Sequence, residues 1–228
     1  MGYAVVIAGA SGSGKSTVAN MLVSAYPHKY SLSRSATTRP KREDDFGKDE
    51  YIFCSKEQFL AKIEAGDMIE STEYSGNMYG TPKSELERII NEGRCPVLVL
   101  DINGVKAFYK SEIPYRVYIF YLYEHINVIE QRLYDRYLKN NKSLNAFLSF
   151  QKRKQANIMD YMAASDYIGL FDAYIENSEL DKCLCSLEYC LRKFEGEVSS
   201  DMPKGVAIST EEKKSLAESL SEQARVKV

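Results

Sequence analysis

Short apolar runs alternate with segments of helical periodicity along most of the chain. The runs at residues 3–8, 96–100, 115–122 and 173–176 have the length and composition of buried strands. Segments with apolar residues three and four positions apart separate these runs. The alternation predicts an α/β fold, with a largely parallel sheet flanked by helices.

Residues 33–80 interrupt this alternation with polar, hairpin-like sequence, which indicates a lobe inserted into the main fold. Further strands are predicted at residues 30–33, 51–54, 68–70 and 72–74, the last two around a turn at 75–77. Helices are predicted from residue 16 onward and over residues 55–66, 82–93, 127–138, 147–162 and 180–194. Thr81 is the expected N-cap and Pro82 the expected first residue of the helix that ends near Gly93.

The helical pattern fades after Glu195. Residues 199–205 have the composition of a linker, and Ser209 and Glu212 have the spacing of a capping box. A short tail helix over about 210–224 is therefore predicted, with Leu216 and Leu220 on one side. A docked helix and a flexible tail are both compatible with this sequence.

Composition limits the class of protein. The chain has 228 residues, 44% of them hydrophobic, and a formal net charge of −2, which suits one large α/β domain or a core with inserted lobes. The charge disfavours a dedicated nucleic-acid binder. No run of 18 apolar residues and no secretory pattern occurs, so we expect a cytoplasmic protein that does not bind membranes.

The five cysteines do not form a pattern typical of disulfide-bonded proteins, because their number is odd. Cys183, Cys185 and Cys190 could suggest a metal site. Leucines interleave them at helical spacing, however, and structural zinc usually has four ligands. The sequence therefore favours cysteines buried or half-buried on a helix.

The segment between the first apolar run and the first helix matches the phosphate-binding pattern G-x-x-x-x-G-K-[ST]. Its backbone N–H groups and the positive end of the helix dipole would bind phosphates. Lys15 would reach the β- and γ-phosphates, and Ser16 would bind Mg²⁺. The alternative is an ordinary turn rich in glycine and serine. The predicted nucleotide-binding residues are Gly9, Ala10, Ser11, Gly12, Ser13, Gly14, Lys15, Ser16 and Thr17.

A second group of polar residues lies within residues 35–81. Arginine guanidinium groups bind phosphate through two parallel hydrogen bonds, and hydroxyl groups add neutral donors. A glutamate suits the guanine edge, whose ring N–H and amino group both donate. The group could thus hold guanosine monophosphate (GMP), although the arginines could instead pair with the acidic residues at 43–50. Its members are Ser35, Thr37, Thr38, Arg39, Arg42, Tyr51, Glu70, Tyr79 and Thr81.

These motifs together resemble the guanylate kinase family over roughly residues 3–195. The resemblance rests on residues 9–16, 35–42, 66–70, 75–80 and 100–106, together with Tyr51. It implies a P-loop kinase fold that catalyses ATP + GMP ⇌ ADP + GDP with Mg²⁺. It also implies a domain over 1–196, with a core of 1–32, 86–123 and 161–196, a GMP-binding lobe over 33–85 and a helical lid over 124–160, followed by a tail over 197–228.

The resemblance also implies individual roles. The GMP phosphate would be bound by Ser35, Arg39, Arg42, Tyr51 and Tyr79. The guanine would be bound by Glu70, Thr81 and Asp101. The implied catalytic residues are Lys15, Arg39, Arg136 and Arg153, of which the last two match lid arginines that close over the transferred phosphoryl group.

The chain departs from the family pattern at several places, of which two affect the predicted site most directly. Asn103 replaces the second carboxylate of an Asp-x-Asp pair, and Asp135 and Tyr137 replace the glycines on either side of the first lid arginine. Three hypotheses remain: a guanylate kinase, a related kinase with another acceptor, and a non-catalytic binding module, which would more often have lost the phosphate loop. We expect ATP and GMP as small-molecule partners, and a monomer or a homodimer.

Overall fold

The computed structural model describes residues 2–41, 51–74, 76–111, 113–198 and 202–227. A short 3₁₀ segment occupies Ala164–Leu170. The other elements, in chain order, are β1 (Tyr3–Gly9), α1 (Lys15–Ala25), β2 (Tyr30–Leu32), β3 (Ser35–Thr37), β4 (Tyr51–Phe53), α2 (Lys56–Glu64), β5 (Met68–Tyr74), β6 (Asn77–Pro82), α3 (Lys83–Asn91), β7 (Cys95–Val99), α4 (Ile102–Lys110), β8 (Arg116–Tyr123), α5 (Ile126–Tyr137), α6 (Leu144–Met162), β9 (Ala173–Glu176), α7 (Leu180–Phe194), β10 (Val206–Ala207) and α8 (Thr210–Arg225).

The chain forms two compact units. The first comprises residues 1–6 and 19–117, and the second comprises residues 7–18 and 118–228. In the first unit, β2 pairs in parallel with β7. Four further strands form a sheet in the order β4-β3-β6-β5, in which β3 runs parallel to β4 and antiparallel to β6.

The second unit contains a parallel pair of its own, β8 and β9, joined through α5 and α6. Strand β10 adds to β9 in the antiparallel sense, with Val206 opposite Ile175. Helices alternate with parallel strands in both units, which confirms the predicted α/β class. No helix in the described part of the chain is long and apolar enough to cross a membrane.

The tail helix is present and docked. Ser209 accepts a hydrogen bond from the backbone of Glu212, whose side chain accepts one in return, so the predicted capping box is confirmed. Ala217, Leu220 and Ala224 are buried, and α8 packs against α6 and the 3₁₀ segment. Of the two alternatives for the tail, the structure has the docked helix.

Three of the five cysteines lie on α7. Cys183 and Cys190 are buried, whereas Cys185 is exposed. Burial raises the pKa of both buried thiols to about 12, so they stay protonated and unreactive at neutral pH. The prediction of cysteines buried or half-buried on a helix is therefore confirmed for Cys183 and Cys190 and wrong for Cys185.

The predicted start of α3 is wrong. The helix begins at Lys83, and Thr81 and Pro82 are the last residues of β6. Asp67 binds the helix N-terminus instead, since its carbonyl oxygen accepts from the Lys83 N–H at 2.7 Å and its carboxylate from the Ser84 N–H at 2.9 Å. The Thr81 hydroxyl is used elsewhere and is not available as a cap.

Two other elements differ from the predictions. Strand β5 runs without a break over the two short strands predicted at 68–70 and 72–74, and β6 forms the second arm of the hairpin. Helix α4 follows Asp101 directly and was not predicted. The sequence does contain a helical pattern here, because the apolar residues Ile102, Val105 and Phe108 are three positions apart, and all three are buried.

A buried ion-pair group joins α3 to the segment between β2 and β3. Both guanidinium groups of Arg34 and Arg88 donate to the Glu85 carboxylate, at distances of 2.8–3.1 Å. Although burial opposes ionisation, these hydrogen bonds lower the pKa of Glu85 from 4.5 to about 2.

Replacing Glu85 should therefore destabilise the protein in a pH-dependent way. Glu85→Gln leaves two arginines without their buried partner, and we expect a loss of about 2 kcal/mol in the free energy of unfolding at pH 7. A depressed folded-state pKa stabilises above the unfolded value, so the difference from wild type should shrink as pH falls from about 4.5 towards 2.

Urea denaturation at several pH values measures this difference. Glu92→Gln is the matched control, because Glu92 pairs with the same Arg88 at an exposed position and should change stability by less than about 0.5 kcal/mol. Equal effects of the two substitutions at pH 7 would contradict the special role of Glu85.

Candidate active site

The phosphate-binding loop lies between β1 and α1 and depends on glycine at three positions. Gly9, Gly12 and Gly14 have φ angles of +143°, +91° and +91°, which residues with a side chain rarely adopt. A Cβ atom at Gly9 would also collide with the Leu122 carbonyl oxygen, and one at Gly14 with the Asn177 amide. The backbone conformation of this loop therefore requires glycine at these positions.

The loop belongs to the second unit, and side chains from other parts of that unit bind its carbonyl groups. Asn157 of α6 donates to the Ser11 carbonyl oxygen at 2.8 Å, and its own oxygen accepts from the Ser11 N–H at 2.8 Å. Asn177, directly after β9, donates to the Ser13 carbonyl oxygen at 2.6 Å. Arg132 of α5 lies 3.5 Å from the Gly12 carbonyl oxygen.

Lys15 and the first turn of α1 complete the loop. The Lys15 ammonium group donates to the carbonyl oxygens of Gly9 and Ala10, at 2.7 and 2.8 Å. Ser16 and Thr17 are exposed in the first turn of the helix, where the N–H groups and the helix dipole favour an anion. The predicted nucleotide-binding residues are thus together in one loop.

The two predicted lid arginines differ in their surroundings. Arg153 of α6 donates to the Ser11 hydroxyl at 3.0 Å and stacks over the Tyr137 ring, so it contacts the phosphate loop. Arg136 is exposed in the last turn of α5, and its role stays a prediction.

Sequence reasoning missed Arg132, Asn157 and Asn177. Arg132 lies one helical turn before Arg136, so its spacing offered a signal. It donates to the Asn177 carbonyl oxygen at 3.0 Å and lies 3.4 Å from the Glu124 carboxylate. The two asparagines had no such signal, because their function depends on contacts between residues far apart in sequence.

The first unit brings the predicted acceptor residues together through strand pairing. The pairs are Ser35 with Tyr51, Thr37 with Tyr79 and Glu70 with Thr81. The rings of Tyr51 and Tyr79 meet edge to face, with centroids 6.5 Å apart. This register places the two predicted tyrosine donors next to each other.

Arg39 belongs to the same group. Its side chain is buried, and its guanidinium group lies 5.1 Å from the centre of the Tyr51 ring. The predicted partner Arg42, and the acidic residues 43–50 that could compete for these arginines, lie outside the described residues.

Glu70 is a buried carboxylate with one hydroxyl partner. The Thr81 hydroxyl donates to its Oε1 at 2.8 Å, and both side chains are buried. Burial raises the pKa of Glu70, the Asp101 carboxylate raises it further, and the Thr81 hydrogen bond opposes both effects. A buried acid near a second acid, with free acceptor capacity, is typical of a binding site.

Asp101 lies at the carboxyl end of β7, where open parallel sheets bind ligands. Its Oδ1 accepts from the Gly104 N–H at 2.8 Å, which makes Asp101 the N-cap of α4. Asn103 is exposed in the first turn of this helix. The hydrogen bond to Gly104 fixes the orientation of the Asp101 carboxylate.

Comparison with known proteins identifies the family of the chain. The family described as guanylate kinase matches residues 1–194. The chain belongs to the guanylate kinase family. It is similar to guanylate kinase of Sus scrofa, with 38% identity over 82% of this chain and 90% of the relative, and to that of Homo sapiens, with 36% identity over 82% and 91%.

Structural comparison gives the same fold. The chain is similar to the crystal structure of guanylate kinase from Anaplasma phagocytophilum, with a TM-score of 0.60 and 23% identity over 85% of this chain and 86% of that chain. Helix α8 and strand β10 lie beyond the residues that match the guanylate kinase family.

The hydrogen bond from Thr81 should lower the pKa of Glu70 in this member of the guanylate kinase family. We expect Thr81→Val to raise the Glu70 pKa further, because a donor to the charged form is lost. Thr81→Ser keeps the hydroxyl and is the control. Carboxyl ¹³C NMR titration measures the pKa, with the signal assigned by its loss in Glu70→Gln; an unchanged pKa in Thr81→Val would contradict the bond.

Proposed function

We propose that the protein transfers the γ-phosphoryl group of ATP to GMP, and also to dGMP, giving ADP and GDP or dGDP. The observation that carries the proposal is the buried Glu70 carboxylate, paired with Thr81 in a member of the guanylate kinase family. Its remaining lone pairs match the ring N–H and the amino group of guanine. Adenine and pyrimidine bases do not present this pair of donors.

The loop residues 9–17 would bind the ATP phosphates. Their N–H groups and the α1 dipole attract negative charge, and the Lys15 ammonium group lies on the same loop. Arg153, and Arg136 after movement of the proposed lid over 124–160, would add positive charge near the transferred group. Such charge is the main catalytic contribution in phosphoryl transfer, which needs no protein nucleophile.

The residues present also fit a magnesium ion. Mg²⁺ prefers oxygen ligands, keeps several waters and binds substrate phosphates, so the protein needs to supply few of its ligands. Ser16 has an exposed hydroxyl in the first turn of α1. When bound, the ion would neutralise charge on the phosphate oxygens.

The proposed lobe over residues 33–85 would bind GMP. Arg39, Arg42, Ser35, Tyr51 and Tyr79 would donate to its phosphate. Thr81 and Asp101 would accompany Glu70 at the guanine. Arg39 would also help to orient the phosphate oxygen that attacks ATP, since positioning contributes much of the rate enhancement.

The proposal also covers the partners, the location and the oligomeric state of the protein. The substrates are small molecules, and the charge of the chain does not favour nucleic acid. A cytoplasmic location and a monomer or homodimer are part of the proposal.

A coupled assay of ADP formation from ATP tests the activity, with GMP, dGMP, AMP and UMP as acceptors. We expect turnover with GMP and dGMP, and rates about 100-fold lower with AMP and UMP. Lys15→Met should lower kcat by about 100-fold, because a cation next to the transferred group is lost. Absence of ADP formation with every acceptor would overturn the proposal.

Glu70→Gln tests how the acceptor is recognised. The amide would turn a donor towards guanine, so we expect KM for GMP to rise about 10-fold or more, with KM for ATP unchanged within twofold. The wild-type KM for GMP should also rise as pH falls through the Glu70 pKa, because a protonated carboxyl accepts less well. That pH dependence should be absent from the variant; unchanged acceptor selectivity would remove Glu70 from the site.

A further inference from the structure

Asn157 is a buried amide inside α6, and both of its hydrogen bonds go to Ser11 of the phosphate loop. We propose that Asn157 is a positioning residue for the donor nucleotide, which sets the direction of the loop's peptide groups so that the Gly12 N–H faces the phosphates. The proposal rests on the proposed function for the identity of the ligand, ATP or ADP.

The geometry of the peptide bond gives the direction. In a trans peptide, the C=O and the following N–H point in opposite directions. Because the Ser11 C=O points at the Asn157 amide, the Gly12 N–H points away from α6. Asn177 binds the Ser13 C=O in the same way, which turns the Gly14 N–H away from Asn177. Neither of these two N–H groups has a hydrogen-bond acceptor in the part of the chain that the structure describes.

Two other N–H groups of the loop already have acceptors inside the protein. The Ser13 N–H donates to the Ala10 carbonyl oxygen at 3.1 Å, and the Ser11 N–H donates to Asn157. The loop thus has two kinds of N–H group: those bonded inside the protein and those left for a ligand. Asn157 takes part in this division directly, since it both accepts from one peptide and donates to the next.

The amide of Asn157 matches this task because it carries an acceptor and a donor side by side. Only one orientation of an amide can accept from the Ser11 N–H and donate to the Ser11 C=O at once. Burying an amide is costly unless both groups are paired, and an apolar residue would be the usual choice next to buried Ile158. Arg153 lies four residues earlier on α6 and binds the Ser11 hydroxyl, so one helix face meets Ser11 at two points.

Nucleotide affinity and kinetics test the proposal in the full-length protein. Asn157→Ala should raise KM for ATP, and the dissociation constant of Mg·ADP in calorimetry, by about 10-fold. KM for GMP should stay within twofold. Gln155→Ala, an exposed amide two residues earlier on α6, is the control and should change neither constant. A lower melting temperature with both KM values unchanged, or equal rises in both, would overturn the proposal.

A measurement on the wild-type protein does not depend on the variant folding or on catalysis. Titration with Mg·ADP, followed by amide ¹H–¹⁵N NMR, should shift the Gly12 amide proton downfield as it gains an acceptor. The Ser11 amide proton should keep its shift, because it remains bonded to Asn157. A large shift of Ser11 without one of Gly12 would overturn the assignment, whereas failure of the proposed function would instead appear as no binding of Mg·ADP.

Discussion

A loop that binds phosphate through its backbone must point several N–H groups to one side, so its carbonyl groups point to the other side. Those carbonyls are partly buried here and need donors, which Asn157, Asn177 and Arg132 provide. The glycines permit the required backbone, but they do not select it. The carbonyl groups of the loop are therefore bonded by side chains of α5, of α6 and of the residue after β9, which lie outside the motif.

The residues proposed to bind GMP are positioned differently, because strand pairing within one sheet determines which of them are neighbours. Pairing between β3, β4, β5 and β6 places Ser35 opposite Tyr51 and Glu70 opposite Thr81. A buried carboxylate is expensive, and its pKa rises unless donors compensate. At Glu70 one hydroxyl compensates in part, which leaves acceptor capacity for a ligand that brings two donors.

Local patterns in the sequence predict much of this molecule. The glycine loop, the buried strands and the Ser209 capping box each depend on neighbours within about ten residues, and the structure has all three. The prediction that Thr81 caps α3 was wrong because the Thr81 hydroxyl donates to the buried Glu70 carboxylate instead. Asp67 binds the N-terminus of the helix in its place. Asn157 and Asn177 could not be found, because they act 146 and 164 residues away from their partners.

Helix α6 must hold Asn157 against Ser11, and what holds α6 lies partly outside the family's matched span. Helix α8 packs on α6 and buries Leu220 and Ala224. Glu130 of α5 accepts from Lys154 of α6 at 2.6 Å and from Lys227 after α8 at 2.8 Å. Because protein interiors are close-packed, contacts of this kind restrict the position of α6. The chain beyond residue 194 therefore packs on the helix that carries Asn157, although it lies outside the residues that match the family.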